Sequence, residues 1–203
     1  MTRPQKNSCR AGKEVYMEKS KPTWNHPGGK LIELGPTTLK DQELLAILIG
    51  SGYKGRSAQA IAKELLDKYY SIAGLLGKTS TDFSNIKGLK NRKIARIAAS
   101  FEIAKRVFSE KKWELPNIRL VKLELPELSD ADVLAILIGG RYKEKTPRDL
   151  SKELLNKYKS ISGMMGQKLS DMAKIEGLGD VRVVRIAAAI EVARRIVRAL
   201  EKE

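Results

Sequence analysis

The chain contains the same unit twice, with the second copy 89 residues after the first. Residues 45–50 read LAILIG, and residues 134–139 read the same six letters. Between Leu31 and Arg106, 33 of 76 positions are identical to the position 89 residues later, with no insertion or deletion. Because helices and strands place side chains at fixed periods, a repeat without gaps predicts that both copies have the same backbone.

The repeat also divides the chain into regions. Residues 1–29 are basic and rich in small and polar residues, so we predict an extended basic tail that is disordered when free in solution. We predict a first domain at 30–108, a linker at 109–118 and a second domain at 119–203. Since the linker is short, the two domains are expected to pack together.

The apolar residues of each copy follow the period of an α-helix. In the last helix of the first copy, Ile94, Ile97, Ala98 and Phe101 are spaced i, i+3, i+4 and i+7, and residues 183–190 repeat this spacing. No segment shows the alternation of apolar and polar residues that is typical of a strand. The sequence therefore predicts an all-α fold of two tandem helical bundles, each of about five helices.

Residues that favour helix caps mark the predicted helix starts. Ser57, Ser129 and Thr146 each precede an apolar helix, and Pro147 takes the first helical position, where proline is favoured. The fifth helices are predicted over residues 91–107 and 180–200. Short third and fourth helices are predicted to begin at Ser71 and Ser80, and at Ser160 and Ser170.

The segment between the fourth and fifth helices is the candidate functional site. Residues 86–90 (IKGLK) and 175–179 (IEGLG) match the helix-hairpin-helix pattern of an apolar residue, any residue, Gly, an apolar residue and Gly before a basic helix. Glycine permits a positive φ and a close approach to another molecule. The first N–H groups of the next helix are unpaired and lie at its positive end, so such a turn predicts a phosphate site.

Both turns, together with the basic residues of the helices that follow them, form the predicted phosphate-binding set. Its members are Gly88, Leu89, Lys90, Arg92, Lys93, Arg96, Gly177, Leu178, Gly179, Arg182 and Arg185. A plainer alternative is that Gly88 and Gly177 only terminate their helices, as glycine often does. Tyr53 and Tyr142, in the loop after the first predicted helix of each copy, are expected to pack rather than to stack on a base.

The two turns are not expected to be equivalent. The first has Lys90 where the second glycine of the pattern is expected, and this residue restricts the backbone but adds a positive charge. The second has Asp180 at the start of the helix, where a carboxylate repels a phosphate. We therefore predict that the first turn binds phosphate more tightly.

The charge of the chain favours a polyanionic partner. The formal net charge is +15 and the pI is about 9.9, which predicts attraction to nucleic acid or to an acidic membrane surface. Basic residues at matched places on the fifth helices, such as Arg106 and Arg195, indicate a continuous basic surface. The tail residues expected to contact nucleic acid are Arg3, Lys6, Arg10 and Lys13.

Few side chains are suited to catalysis or to metal binding. A single cysteine, Cys9, and a single histidine, His26, exclude a disulfide framework and a zinc cluster of the usual ligands. Glu102 and Glu191 occupy matched positions on basic helices and are expected to form ion pairs rather than to act as acid–base catalysts. We predict no catalytic residues, no enzyme activity, no cofactor and no metal site.

The first copy resembles the N-terminal domain of RadC-family proteins. The similarity begins at residues 26–36 (HPGGKLIELGP), continues through residues 39–48 (LKDQELLAIL) and 52–58 (GYKGRSA), and includes the first turn. It covers residues 27–106 well and residues 119–198 more loosely. The resemblance implies a small helical unit with a helix-hairpin-helix, a nucleic-acid-binding role and a connection to DNA repair.

Proteins of that family usually continue into a metallopeptidase-like domain, in which an H-x-H-P-S-G motif and a downstream Asp bind zinc. Residues 25–28 read NHPG but lack the first histidine, the serine and the spaced aspartate of that motif. We therefore expect two copies of the binding half of such a protein without the catalytic half.

Three functions are compatible with the sequence. The first is a protein that binds the phosphate backbone of DNA without sequence specificity, because main-chain amides contact phosphates rather than base edges. The second is a ribosome-associated protein that binds ribosomal RNA, and the third is an adaptor that docks a repair enzyme. The expected partners are thus DNA or structured RNA, within a ribonucleoprotein or repair complex. We expect no small-molecule substrate.

Since no run of eighteen residues is apolar, we also expect no membrane segment and a cytoplasmic location, at the nucleoid or the ribosome.

Overall fold

The computed structural model of the protein describes residues 26–110 and 128–201. Those residues contain nine α-helices and no β-strand, which confirms the all-α prediction. The helices of the first copy are α1 (Pro27–Leu34), α2 (Asp41–Ile49), α3 (Ala58–Tyr69), α4 (Ser80–Ser84) and α5 (Asn91–Glu110). Those of the second copy are α6 (Asp130–Ile138), α7 (Pro147–Tyr158), α8 (Leu169–Ala173) and α9 (Asp180–Leu200).

Side-chain caps start α3, α6 and α7, as the sequence predicts. Ser57 accepts a hydrogen bond from the Ala60 N–H at 3.0 Å. Ser129 and Thr146 each form a capping box with the aspartate three residues later. Each cap pairs an N–H group that the helix itself leaves without a partner.

The short elements differ from the prediction. The predicted third helices are single 3₁₀ turns, Ala73–Leu75 and Ser162–Met164, because the preceding serines bond to the N–H groups of Gly74 and Gly163 and close the chain into tight turns. In the first copy α4 begins at Ser80, as predicted, and Thr79 is its cap. In the second copy α8 begins at Leu169, so that Ser170 lies inside the helix rather than at its start.

The two copies share a single hydrophobic core, which confirms that they pack together. The long helices α5 and α9 contact each other along the centre of the molecule. The shorter α2 packs against α9 as well as α5, and α6 packs against α5 as well as α9. Buried residues of both copies therefore belong to one continuous apolar cluster, in which the largest side chains are Phe83 and Phe101.

Two matched sets of ion pairs connect the copies. Arg106, near the end of α5, pairs with Asp130 at the start of α6. Arg195, near the end of α9, pairs with Asp41 at the start of α2, and also donates to the Leu39 carbonyl at 2.6 Å. Because these residues occupy equivalent positions in the repeat, the contacts are reciprocal, as in a symmetric dimer.

Glutamates on the long helices orient these arginines. Glu102 accepts from Arg106 at 3.0 Å, and Glu191 accepts from Arg194 at 2.6 Å and Arg195 at 2.8 Å. The expectation that both glutamates form ion pairs is confirmed. The prediction of a continuous basic surface is wrong at these arginines, because neighbouring carboxylates neutralise them.

Burial makes the glutamate of the second copy the more critical of the two. The side chain of Glu191 is 3% exposed, whereas that of Glu102 is 25% exposed. Burial alone would raise the pKa of Glu191, but hydrogen bonds from Arg194 and Arg195 outweigh it, so that the pKa is lower than the ordinary value of 4.5. A lowered pKa means that the folded state favours the ionised carboxylate.

We expect Glu191→Gln to lower the free energy of unfolding by about 2 kcal/mol at neutral pH, since two charge-assisted hydrogen bonds weaken together. The matched variant Glu102→Gln should lower it by less than about 1 kcal/mol, because that pair is partly solvated. Urea unfolding of both variants measures the two losses.

The same comparison has a pH dependence. Because the pKa of Glu191 is depressed in the folded state, its contribution is complete above the ordinary value of 4.5 and is lost as the pH falls through the folded value. The stability difference between the wild type and Glu191→Gln should therefore shrink in acid. Equal losses for both variants at neutral pH would contradict the assignment.

Candidate nucleic-acid interface

The turn between α4 and α5, residues 85–90, is called the first turn. Gly88 has a φ of +99°, and a Cβ atom at this position would lie 2.8 Å from Ile61 Cδ1 and 2.9 Å from Tyr53 Cβ. Both the dihedral angle and the close approach therefore require glycine. The first turn is thus fixed against the loop that contains Tyr53.

The turn between α8 and α9, residues 174–179, is called the second turn and has the same design. Gly177 also has a φ of +99°, and a Cβ atom there would lie 2.9 Å from the ring of Tyr142. Tyr142 is partly buried against the core, as is Tyr53. The expectation that these tyrosines pack is confirmed, and each tyrosine contacts the glycine of its turn.

The leucines that follow these glycines hold the turns in the core. Leu89 is 2% exposed and Leu178 is 1% exposed. Their N–H groups donate to the carbonyls of Ile86 at 3.0 Å and Ile175 at 2.9 Å. Both leucines were predicted to bind phosphate, but they anchor the turns in the core and neither offers a free N–H group.

The free donors lie one to three residues further along each turn. Within the described part of the chain no acceptor pairs with the N–H groups of Lys90, Asn91 and Arg92, or of Gly179, Asp180 and Val181. All six residues are exposed. Sequence reasoning missed Asn91, the first residue of α5, and Val181, the second residue of α9. Both helices follow a position without a capping side chain, which is the signal for unpaired donors.

The backbone does not require glycine at the second glycine position of the pattern. Gly179 has a φ of −68° and open space where a Cβ atom would lie. Lys90, at the equivalent position, has no positive φ either. The expectation that Lys90 restricts the backbone is therefore wrong, and the first turn gains a cation without strain.

Two predicted phosphate ligands bind the protein itself. Lys93 Nζ donates to the carbonyls of Ser51 at 2.6 Å and Gly52 at 3.3 Å. At the matched position, Arg182 donates to the Gly140 carbonyl at 2.7 Å. Burial, together with the charge of Arg96, lowers the pKa of Lys93. These side chains connect each long helix to the preceding loop.

Of two other predicted ligands, Arg185 is buried and Arg96 is half-buried. Arg185 is only 9% exposed, and its Nη1 donates to the Leu137 carbonyl at 2.7 Å, near the end of α6. Burial, with the charges of Arg96 and Arg182, lowers the pKa of Arg185 to about 10. Arg96 is half-buried, and burial followed by the charge of Arg92 lowers its pKa.

The surroundings of the two turns differ in charge. Lys87, Lys90 and Arg92 are exposed around the first turn. The second turn instead has Glu176 and Asp180, and Glu176 forms an ion pair with Lys143 at 2.7 Å. The predicted order of phosphate affinity, with the first turn stronger, is consistent with this difference and stays a prediction.

Other predicted features fall elsewhere. The tail residues Arg3, Lys6, Arg10 and Lys13 lie outside the described residues. Across residues 26–110 and 128–201, no helix combines the length and apolarity needed to cross a membrane. The same residues contain no group of three His, Cys, Asp or Glu side chains close enough to hold a metal ion.

The fold and the two turns define a class of all-helical protein built from a duplicated unit whose copies share one core. The model of the UPF0758 N-terminal family matches residues 19–95 and again residues 109–184. The chain therefore belongs to this RadC-like family and carries its N-terminal unit twice.

Curated relatives carry the same family name. A UPF0758 protein of Pseudoalteromonas atlantica is 40% identical over 89 residues, which are 44% of this chain and 40% of the relative. A UPF0758 protein of Burkholderia thailandensis is 36% identical over 118 residues, or 58% of this chain and 43% of the relative. The chain thus matches less than half the length of each of these relatives. No solved structure matches it.

We expect Gly88→Ala to destabilise the protein by about 2–4 kcal/mol, because the added Cβ meets Tyr53 and Ile61 and the residue must keep a positive φ. Gly179→Ala is the matched control and should change stability by less than about 1 kcal/mol, since its φ is negative and its surroundings are open. Thermal unfolding measures both. A Gly88→Ala protein as stable as the wild type would show that the close approach is not required.

Proposed function

We propose that this protein is a non-enzymatic nucleic-acid-binding protein that contacts the phosphate backbone chiefly through its first turn. The observation that carries the proposal is the exposed start of α5, where three adjacent N–H groups without acceptors stand beside exposed cations. Free N–H groups at a helix start, with the positive end of the helix dipole, favour an anion. No carboxylate lies within the first turn itself, residues 85–90.

The cations of the first turn are available to a ligand. Lys90 and Arg92 are exposed and form no ion pair with the described residues. Lys90 Nζ lies 6.0 Å from the centre of the Tyr53 ring, which contacts the turn glycine. A phosphate at the helix start would thus meet main-chain donors and two side-chain cations together.

The second turn contributes a weaker contact in this proposal. Its free N–H groups are equivalent to those of the first, but the carboxylate of Asp180 occupies the helix start. Because like charges repel, a phosphate binds there less favourably. The net charge of +15 brings a polyanion to either turn and raises the association rate at low salt.

The ligand class follows from the same donors. Main-chain amides and lysines bind phosphate oxygens, so the binding has little dependence on base sequence. The family resemblance favours DNA, and structured RNA, including ribosomal RNA, offers the same phosphate chemistry. Binding to duplexes of both kinds in parallel distinguishes these ligands.

We expect Lys90→Glu combined with Arg92→Glu to weaken binding to a short DNA duplex at least tenfold, since two cations beside the phosphate become anions. The control Lys63→Glu with Lys105→Glu makes the same change in net charge on the exposed parts of α3 and α5. Fluorescence anisotropy measures both dissociation constants. Equal losses in the two double variants would mean that total charge, and not the first turn, determines binding.

Salt dependence provides a second measurement. If about five to eight phosphates are neutralised, the logarithm of the binding constant should fall with the logarithm of salt concentration at a slope of roughly −4 to −7. The turn variant should reduce this slope by about 2, because each lost cation releases one counterion fewer. A slope near zero for both DNA and RNA would overturn the proposed function.

A further inference from the structure

A cleft of about 500 Å³ lies at the junction of the two copies, away from the exposed cations of the first turn. It is lined by residues of α1, α2 and α3 from the first copy and by the beginning of α9 from the second. Its volume is within the range of small-molecule sites. The first turn, which makes the main proposed nucleic-acid contact, does not line this cleft, whereas Asp180 and Val181 at the second turn do.

Three helices begin at this cleft. Gly28 of α1, Ala58 of α3 and Val181 of α9 all line it, and each is the first or second residue of its helix. Helix starts carry a partial positive charge and N–H groups that the helix leaves unpaired. Three positive helix ends therefore border the cleft, and the side chains of His26 and Ser57 cap one N–H group each at the starts of α1 and α3.

A buried guanidinium reinforces this charge. Arg185 lines the cleft and is 9% exposed, and its Nε has no hydrogen-bond partner in the described residues. Arg96 Nη1 lies 3.2 Å from where a Cβ atom would be at Gly50, which also lines the cleft. No ion pair to a described carboxylate neutralises either arginine.

Three negative groups oppose this field, and one of them is the end of α6, where the Leu137 carbonyl accepts from Arg185 at 2.7 Å. The end of α2 at Gly50 carries a partial negative charge, and Arg96 lies beside it. The carboxylate of Asp180 lies at the exposed rim, where water screens it. The two guanidiniums and three helix starts leave the cleft with an excess of positive charge.

The walls between these charged groups are aliphatic. Ile32, Ile47 and Val184 line the cleft, and Val181, also in its wall, is 70% exposed. We propose that this cleft binds a small organic anion that has a carboxylate or phosphate group on an apolar body. The anionic group lies toward Arg185 and the helix starts, and the apolar body covers the isoleucines and valines.

Among the described residues, the equivalent place in the second copy differs at the start of α7. There, residues 128–148 line an open depression in which Pro147 replaces Ala58 and so removes an N–H donor. Arg148 is engaged with Asp132 at 3.3 Å. We use this depression, as far as the described residues define it, as the control site for the anion.

The probes are octanoate and octyl phosphate, with 1-octanol as the neutral control, added to the isotope-labelled full chain. We expect saturable shifts of the Gly28, Ala58 and Val181 amide resonances in two-dimensional NMR spectra with both anions. 1-Octanol should bind at least tenfold more weakly. Comparison of octanoate with octyl phosphate identifies which anionic group the cleft prefers.

Variants at the exposed rim test the charge without disturbing the core. Val181→Glu should weaken octanoate binding at least tenfold, whereas Val181→Gln, of similar size, should weaken it less than threefold. Asp180→Asn removes the opposing carboxylate and should strengthen binding about threefold. Arg148→Met, at the control site, should leave the affinity unchanged.

Arg185→Met should abolish the amide shifts if the variant folds. If it does not fold, the variants at Val181 and Asp180 test the proposal instead. Equal binding of octanol and octanoate, or an affinity that Val181→Glu and Asp180→Asn leave unchanged, would overturn the proposal. The anion-binding proposal can fail while the proposed function holds, because duplex binding depends on Lys90 and Arg92, which do not line the cleft.

Discussion

The pairing of α5 with α9 is the contact on which the rest of the structure depends. Neither copy encloses its own core, since α2 and α6 each pack against the long helix of the other copy as well as their own. The arginines near the ends of the long helices then hold the starts of α2 and α6 in the opposite copy, through Asp41 and Asp130. Hydrophobic burial supplies the main stabilisation, and the ion pairs fix the register of one copy against the other.

This shared core also determines how the turns are presented. Leu89 and Leu178 are buried, so that the residues immediately after them are held at the surface. Tyr53 and Tyr142 cover the glycines, while Lys93 and Arg182 bind the carbonyls of the preceding loops. The groups left for a ligand are consequently main-chain donors and the outermost cations, and many of the remaining basic residues serve the fold.

The sequence predicted the helices and the doubled organisation well, because period and capping are local properties. It placed the caps at Ser57, Ser129 and Thr146 correctly and identified both glycines. It could not distinguish a cation that faces solvent from one that caps a helix end, as Arg185 does at Leu137. That distinction depends on contacts between residues far apart in the chain. The sequence could not predict the cleft between the copies for the same reason, because residues far apart in the chain line it.

A covalent pair of copies is freed from a constraint that binds every homodimer. In a symmetric dimer of separate chains, one substitution alters both halves at once. Here the two halves are separate segments of one chain, so that a substitution in one copy leaves the other unchanged. The first copy therefore has Lys90 at its turn, and the second has Asp180. Joining the repeats in a single polypeptide thus permits each half to specialise while the partnership itself is independent of concentration.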